Sequence, residues 1–228
     1  MNSKNRSPAE MPLDLRLIVI TDAALAAPRS IIDIVKAALV AGAPAIQLRD
    51  KDSGSRDLVA LADELRLLTR SYNARLFVND RVDVARVAGA DGVHLGPDDI
   101  PVAAARRIVP AGFLIGYSTD DPDAARTAER DGADYIGCGA VFGTTTKEDA
   151  ADERIGTARL DAVARAVRIP VVGIGGVTVA NIAEIGATAA AGAAVVGAVM
   201  RAPDPGTAVR LLLEGLERGR THSPDAVR

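Results

Sequence analysis

The chain has 228 residues, a formal net charge of −3, and is 48% hydrophobic and 25% charged. With three Tyr, three Phe, no Trp and no basic excess, it argues against a nucleic-acid reader, which needs a positive face and stacking aromatics. No apolar run reaches the roughly eighteen residues that would span a bilayer, and a single cysteine, Cys138, cannot form an internal disulfide.

The opening stretch "MNSKNRSPAEMPLD" is polar and lacks the apolar core of a secretory signal, so a cytoplasmic protein is expected. Residues 1–14 read as a flexible segment, 15–219 as one domain, and 220–228 as a flexible tail. Within the domain, short apolar runs recur: "LRLIVIT" (15–21), "AIQL" (45–48), "RLFVN" (75–79) and "GVHL" (92–95), then "FLIGYS" (113–118), "YIGCG" (135–139), "VVGIG" (171–175) and "AAVVG" (193–197). Amphipathic helical patterns lie between them. "SIIDIVKAALVAG" (30–42) has Ser30 to cap its start and Gly42 to stop it, and "DLVALADELRLLTRSY" (57–72) repeats leucine at helical spacing. Eight strands alternating with helices over about 200 residues predict an α/β fold, a single (β/α)8 TIM barrel. A doubly wound open sheet is disfavoured, because "TDAALAAPRS" after the first strand carries no G-x-G-x-x-G loop.

Chemistry in such a barrel gathers where the strands end. Those ends carry Thr21 and Asp22, then Gln47, Arg49 and Lys51, then Asn79 and Asp80, and then His94, Asp98 and Asp99. Beyond them come Ser118, the run Thr144 to Lys147, and Gly175 with Gly176. Arg49 and Lys51, two residues apart in "QLRDK", suit a di- or triphosphate unless they spend themselves on Asp50 and Asp52 in a solvated loop. Asp80 with Asp98 or Asp99 could share Mg²⁺, which accepts one or two carboxylates and bridges to phosphates; the competing reading makes them caps of the helices that follow. His94 is open to a structural, substrate-positioning or proton-transfer role. Ser118 has no G-x-S-x-G elbow around it and reads as a hydroxyl donor or a cap.

"VFGTTTK" (141–147) sets three threonines beside a lysine, a donor cluster suited to an anion, but it lacks the glycine before the lysine that a P-loop requires. The polar stretch from 147 to 158 is long for a βα loop and suggests a segment that covers substrate. "GIGGVTVANI" (173–182) offers a second anion site: glycine backbone at 175 and 176, Thr178 as a cap, and a helix expected to start near Val179.

Taken in order, "QLRDK", "FVNDRVDVA", "DGVHLG", "IGYS", "DYIGCGAVFGTTTK" and "VVGIGGVT" resemble the thiamine phosphate synthase family over about 15–217. The resemblance implies condensation of 4-amino-5-hydroxymethyl-2-methylpyrimidine diphosphate with hydroxyethylthiazole phosphate or its carboxylated form, releasing diphosphate with Mg²⁺ as cofactor. It implies that Gln47, Arg49, Lys51, Asn79, Ser118 and Lys147 meet the pyrimidine diphosphate and that Asp80 and Asp99 hold Mg²⁺. It further implies that Thr144, Thr146, Gly176 and the backbone of Val196 and Gly197 meet the thiazole phosphate. Its partners would be these small phosphorylated molecules, with no nucleic acid and no membrane; a homo-oligomer is compatible with the sequence but not specified by it. The chain departs from the family's usual pattern with Pro97 where Gln is common and Gly197 where Ser is common. The thiazole tautomerases, a sister group, typically replace the serine of "IGYS" and the Thr-Lys loop, both of which are present here. A non-catalytic phosphate-binding barrel would be expected to lack a metal aspartate or the lysine.

Overall fold

The computed structural model describes residues 13–143 and 154–221. The elements follow as β1 (Leu17–Ile20), α1 (Ala23–Ala26), α2 (Ile31–Val40), β2 (Ala45–Leu48), α3 (Ser55–Ser71), β3 (Arg75–Asn79), α4 (Val82–Val87), β4 (Gly92–Leu95) and α5 (Val102–Ile108). They continue as β5 (Leu114–Ser118), α6 (Pro122–Arg130), β6 (Tyr135–Gly139), α7 (Gly156–Ala166), β7 (Val171–Ile174), α8 (Ile182–Gly186), β8 (Gly192–Val195), α9 (Gly197–Met200) and α10 (Pro205–Thr221). The strands close into a parallel barrel in sequence order, with β8 pairing back onto β1. The chain is therefore a single (β/α)8 barrel, as the alternation predicts.

The continuous apolar strands are explained by burial on both faces. Ile18, Ala45, Phe77, Tyr135, Val172 and Ala194 fill the barrel interior. Val19, Ile46, Val78, Val93, Ile115 and Val195 alternate with them and join the core beneath the helices. Ser30 caps α2 by accepting from Ile32 N at 3.1 Å, and Gly42 takes φ 96° just past that helix, so both punctuation marks act as the sequence suggests.

Some boundaries differ from the sequence pattern. Gly197, expected at the end of the last strand, instead begins α9, and α10 continues through Thr221, past residue 219 where the pattern ends the domain. Of the expected flexible ends, residues 1–12 and 222–228 fall outside the described residues, while Asp14 pairs with Arg16. None of the described helices is long and apolar enough to cross a membrane.

At the lower, N-terminal end of the strands the fold uses charge structurally. Asp91, just before β4, accepts from Arg66 Nη1 and Nη2 at 2.7 and 3.1 Å, from Arg75 Nη1 at 3.3 Å and from Leu76 N at 2.8 Å. Asp134, just before β6 in a second Gly-Ala-Asp, repeats the arrangement with Ile115 N at 2.7 Å and the Arg106 guanidinium. Each aspartate thus ties an arginine to the backbone of the preceding odd-numbered strand.

Candidate active site

The upper end of the barrel is built strand by strand. Thr21, fully buried where β1 ends, accepts from Arg49 N at 2.9 Å and donates its hydroxyl to Arg49 O at 3.1 Å. This two-way clamp sets the path of the chain after β2. Asp22 caps α1 through Leu25 N at 2.9 Å, and its other oxygen lies 3.9 Å from Arg49 Nη1. Asp50 turns toward its own loop, accepting from Asp52 N and Ser53 N at 3.0 Å and from Ser53 Oγ at 2.7 Å. Arg49 pairs with Asp22 rather than Asp50, so its internal neutralisation within "QLRDK" does not form.

Asp80 follows β3 in the left-handed region at φ 62°, an uncommon conformation that Asp tolerates better than most residues. Its N–H donates to His94 O at 2.8 Å, and Arg81 N donates to Asn79 O at 2.7 Å, closing a tight turn. The capping reading fails here, because α4 and α5 begin at Arg81 and Pro101 caps with no side-chain cap bond. Asp98 is exposed, whereas Asp99 is half-buried and its Oδ2 accepts from Gly96 N at 2.6 Å. Asp80 is pushed up to about 6 by its burial and then by the Asp99 carboxyl beside it, with Lys51 and Arg49 pulling the other way. Two acids held this close with two cations beside them form a ready position for a divalent cation. Among the described residues no cluster of three or more His, Cys, Asp or Glu side chains could hold a metal. Two carboxylates with open positions match a hard ion that retains water and phosphate oxygens.

Across the mouth, Ser118 ends β5. His94 Nε2 lies 2.8 Å from Ser118 Oγ, and His94 Nδ1 lies 3.0 Å from the Tyr135 hydroxyl. Burial raises the Tyr135 phenol above its usual range, so it stays protonated. Strand register explains how three distant residues meet: His94 pairs with Gly116, Gly116 with Tyr135, and Ser118 with Gly137. The two glycines make room. A Cβ on Gly116 would sit 2.2 Å from Tyr135 Cζ and 2.5 Å from His94 Nδ1, and one on Gly137 would sit 3.0 Å from His94 Cε1. A glycine inside a strand costs about 0.5–1 kcal/mol against alanine, so clearing two adjacent positions is a real expense. Tyr135 was not among the sequence candidates; the available signal was a lone tyrosine opening a glycine-alternating strand.

The β6 and β7 ends are joined by Val141 N to Ile174 O at 2.8 Å and Phe142 N to Gly175 O at 3.0 Å. Gly175 and Gly176 take φ 97° and 64°, and a Cβ on Gly176 would lie 2.6 Å from Gly143 O. These glycines therefore serve close packing against the β6 loop as well as any ligand. The helix expected near Val179 begins instead at Ile182, because Asn181 closes a turn first: its Oδ1 accepts from Thr178 N at 2.7 Å and its Nδ2 donates to Gly176 O at 3.0 Å. Val196 and Gly197 sit at the β8 end, where a Cβ on Gly197 would meet nothing within 4 Å. Thr144, Thr146 and Lys147 lie outside the described residues. The chain on either side of them is tied together by Ile155 N to Ala140 O at 3.0 Å and Gly156 N to Val141 O at 3.1 Å. Cys138 is fully buried, and burial pushes its thiol up to about 12, consistent with a core residue.

The family model described as thiamine monophosphate synthase matches residues 17–199. A thiamine-phosphate synthase of Roseiflexus castenholzii is 51% identical over 196 residues, covering 86% of each chain. One of Chloroflexus aurantiacus is 48% identical, covering 88% of this chain and 92% of its own. Among solved structures, a thiamine phosphate pyrophosphorylase from Pyrococcus furiosus superposes with a TM-score of 0.83 at 42% identity, covering 90% of this chain and 97% of its own. With this much of the barrel matched in sequence and in structure, the chain belongs to the thiamine monophosphate synthase family.

Proposed function

We propose that the upper end of this barrel joins 4-amino-5-hydroxymethyl-2-methylpyrimidine diphosphate to a hydroxyethylthiazole phosphate, giving thiamine phosphate and diphosphate, or to its carboxylated form, with CO2 lost as a third product. The observation that carries the reading is the meeting of Asp80 and Asp99 with Arg49 and Lys51, two acids and two cations drawn from three neighbouring loops. That charge pattern suits a metal-bound diphosphate, and the family assignment supplies the organic partners.

Asp80 and Asp99 would hold Mg²⁺, which when bound offsets negative charge on the leaving diphosphate. Arg49, Lys51, Asn79 and Ser118 would orient the diphosphate, with Lys147 adding charge. The bond from the pyrimidine methylene carbon to oxygen breaks with its electron pair departing on diphosphate, and the ring stabilises the cation left behind. The lone pair of the thiazole nitrogen then forms the C–N bond, leaving the positive charge on the thiazolium. With the uncarboxylated thiazole no proton moves and no general base is needed; with the carboxylated form the ring carbon takes a proton from water after CO2 leaves. In both, the protein's contribution is fixed charge at the leaving group and exclusion of water from the cation. Thr144, Thr146, Gly176 and the backbone of Val196 and Gly197 would hold the acceptor's phosphate.

Purified protein with Mg²⁺ and both substrates is expected to release diphosphate in step with thiamine phosphate formation, and Lys147→Ala is expected to abolish release while the circular dichroism spectrum is unchanged. Absence of release with either thiazole form would overturn the reading. Isomerisation of the carboxylated thiazole phosphate in place of condensation would favour the tautomerase sister group.

A further inference from the structure

We propose that His94 and Tyr135 are positioning residues: a one-way hydrogen-bond chain from Tyr135 through His94 to Ser118 holds His94 in a single tautomer and thereby aims the Ser118 proton at the diphosphate. This rests on the function proposed above for Ser118, but the chain itself is read from geometry.

The direction follows link by link. A serine that meets an anionic oxygen must spend its only proton on it, so its oxygen is left to accept. The donor at 2.8 Å is then His94 Nε2–H. With the proton on Nε2, Nδ1 carries the lone pair and accepts from the Tyr135 hydroxyl at 3.0 Å. Reversing the chain would put the proton on Nδ1, make Ser118 donate to His94, and present oxygen lone pairs to an anion.

The surroundings favour a dedicated chain over incidental packing. Tyr135 is 1% exposed, so its hydroxyl needs a fixed partner in an otherwise apolar interior. Phe77 holds the tyrosine ring edge-on with centroids 5.2 Å apart, and Gly116 and Gly137 leave both rings the space that side chains would fill. A purely apolar layer would have packed here without two strand glycines.

Only two histidines are present, His94 and His222 in the tail, so ¹⁵N-histidine labelling of His222→Gln reports on His94 alone. At pH 7.5 without substrate, a pyrrole-type Nε2 and a pyridine-type Nδ1 are expected. Tyr135→Phe, which removes one oxygen, is expected to average the two signals by tautomer exchange and to weaken binding of inorganic diphosphate with Mg²⁺ about tenfold, with Asp80-dependent Mg²⁺ binding retained. A protonated Nδ1 in the otherwise native protein overturns the proposal whether or not Tyr135→Phe folds, as does an unchanged tautomer and diphosphate affinity in a folded Tyr135→Phe. Because neither readout requires turnover, a correct tautomer in a protein that fails to condense the two substrates would overturn the function and leave the chain standing.

Discussion

The two ends of the barrel use the same residue types to opposite effect. At the lower end, Asp91 has 4% of its side chain exposed and takes four N–H donors from Arg66, Arg75 and Leu76, so its charge is fully consumed by the fold. At the upper end, Asp80 sits in the left-handed region against another acid, and its carboxyl is raised to about 6 by burial and by Asp99. A charge saturated by partners is structural, while one held in excess of its partners is kept for something that arrives later.

The largest expected effect breaks the lower end. Asp91→Ala leaves two arginines buried without their carboxylate and is expected to destabilise the fold by about 3–5 kcal/mol, the usual result of removing one member of a buried ion pair. Chemical denaturation measures this; a loss below about 1 kcal/mol would mean that Arg66 and Arg75 relax to solvent. The corresponding change at the upper end has the reverse stability sign. Asp80→Asn is expected to lower condensation by ~10²–10³-fold, the scale of losing a main electrostatic contact at the reacting group. It is also expected to raise the melting temperature of metal-free protein, since Asn removes the repulsion from Asp99 and accepts a left-handed backbone.

The same carboxyl sets a pH dependence. Between its ordinary value of 3.8 and its folded value of about 6, the native state binds a proton that the unfolded chain has released. Stability of the metal-free protein therefore falls as pH rises through that window and levels off above it. Thermal melts across the window should show a shallower slope in Asp80→Asn, and equal slopes would remove the raised carboxyl from the account. The smallest effect expected is at the β8 end. Gly197→Ser enters open space and restores a hydroxyl beside the proposed thiazole phosphate site, so KM for the thiazole should drop a few-fold with KM for the pyrimidine unchanged.

How much of this was legible in the sequence divides along the same line. The strands could be read because parallel barrel strands are buried on both faces and appear as apolar runs, and the residues at their upper ends could be collected from the fold rule alone. Ordering Asp99 above Asp98 required a resemblance; the structure leaves Asp98 exposed and half-buries Asp99, which accepts from Gly96 N, and this supports the order without testing it. The link between His94 and Tyr135 spans 41 residues and depends on two intervening glycines whose role is to be absent, so no local pattern announces it. The start of α8 was misplaced because Asn181 folds its side chain back onto Gly176 and Thr178, a contact that helical periodicity does not encode.

The claim that the upper acids are reserved for a cation and its diphosphate is tested most directly by calorimetric titration of Mg²⁺ at pH 7.5, with and without inorganic diphosphate, into the native protein and Asp80→Asn. The account predicts Mg²⁺ binding that tightens at least tenfold with diphosphate in the native protein and is lost in the variant. Equal Mg²⁺ affinity in the two proteins, or no gain from diphosphate, would contradict it.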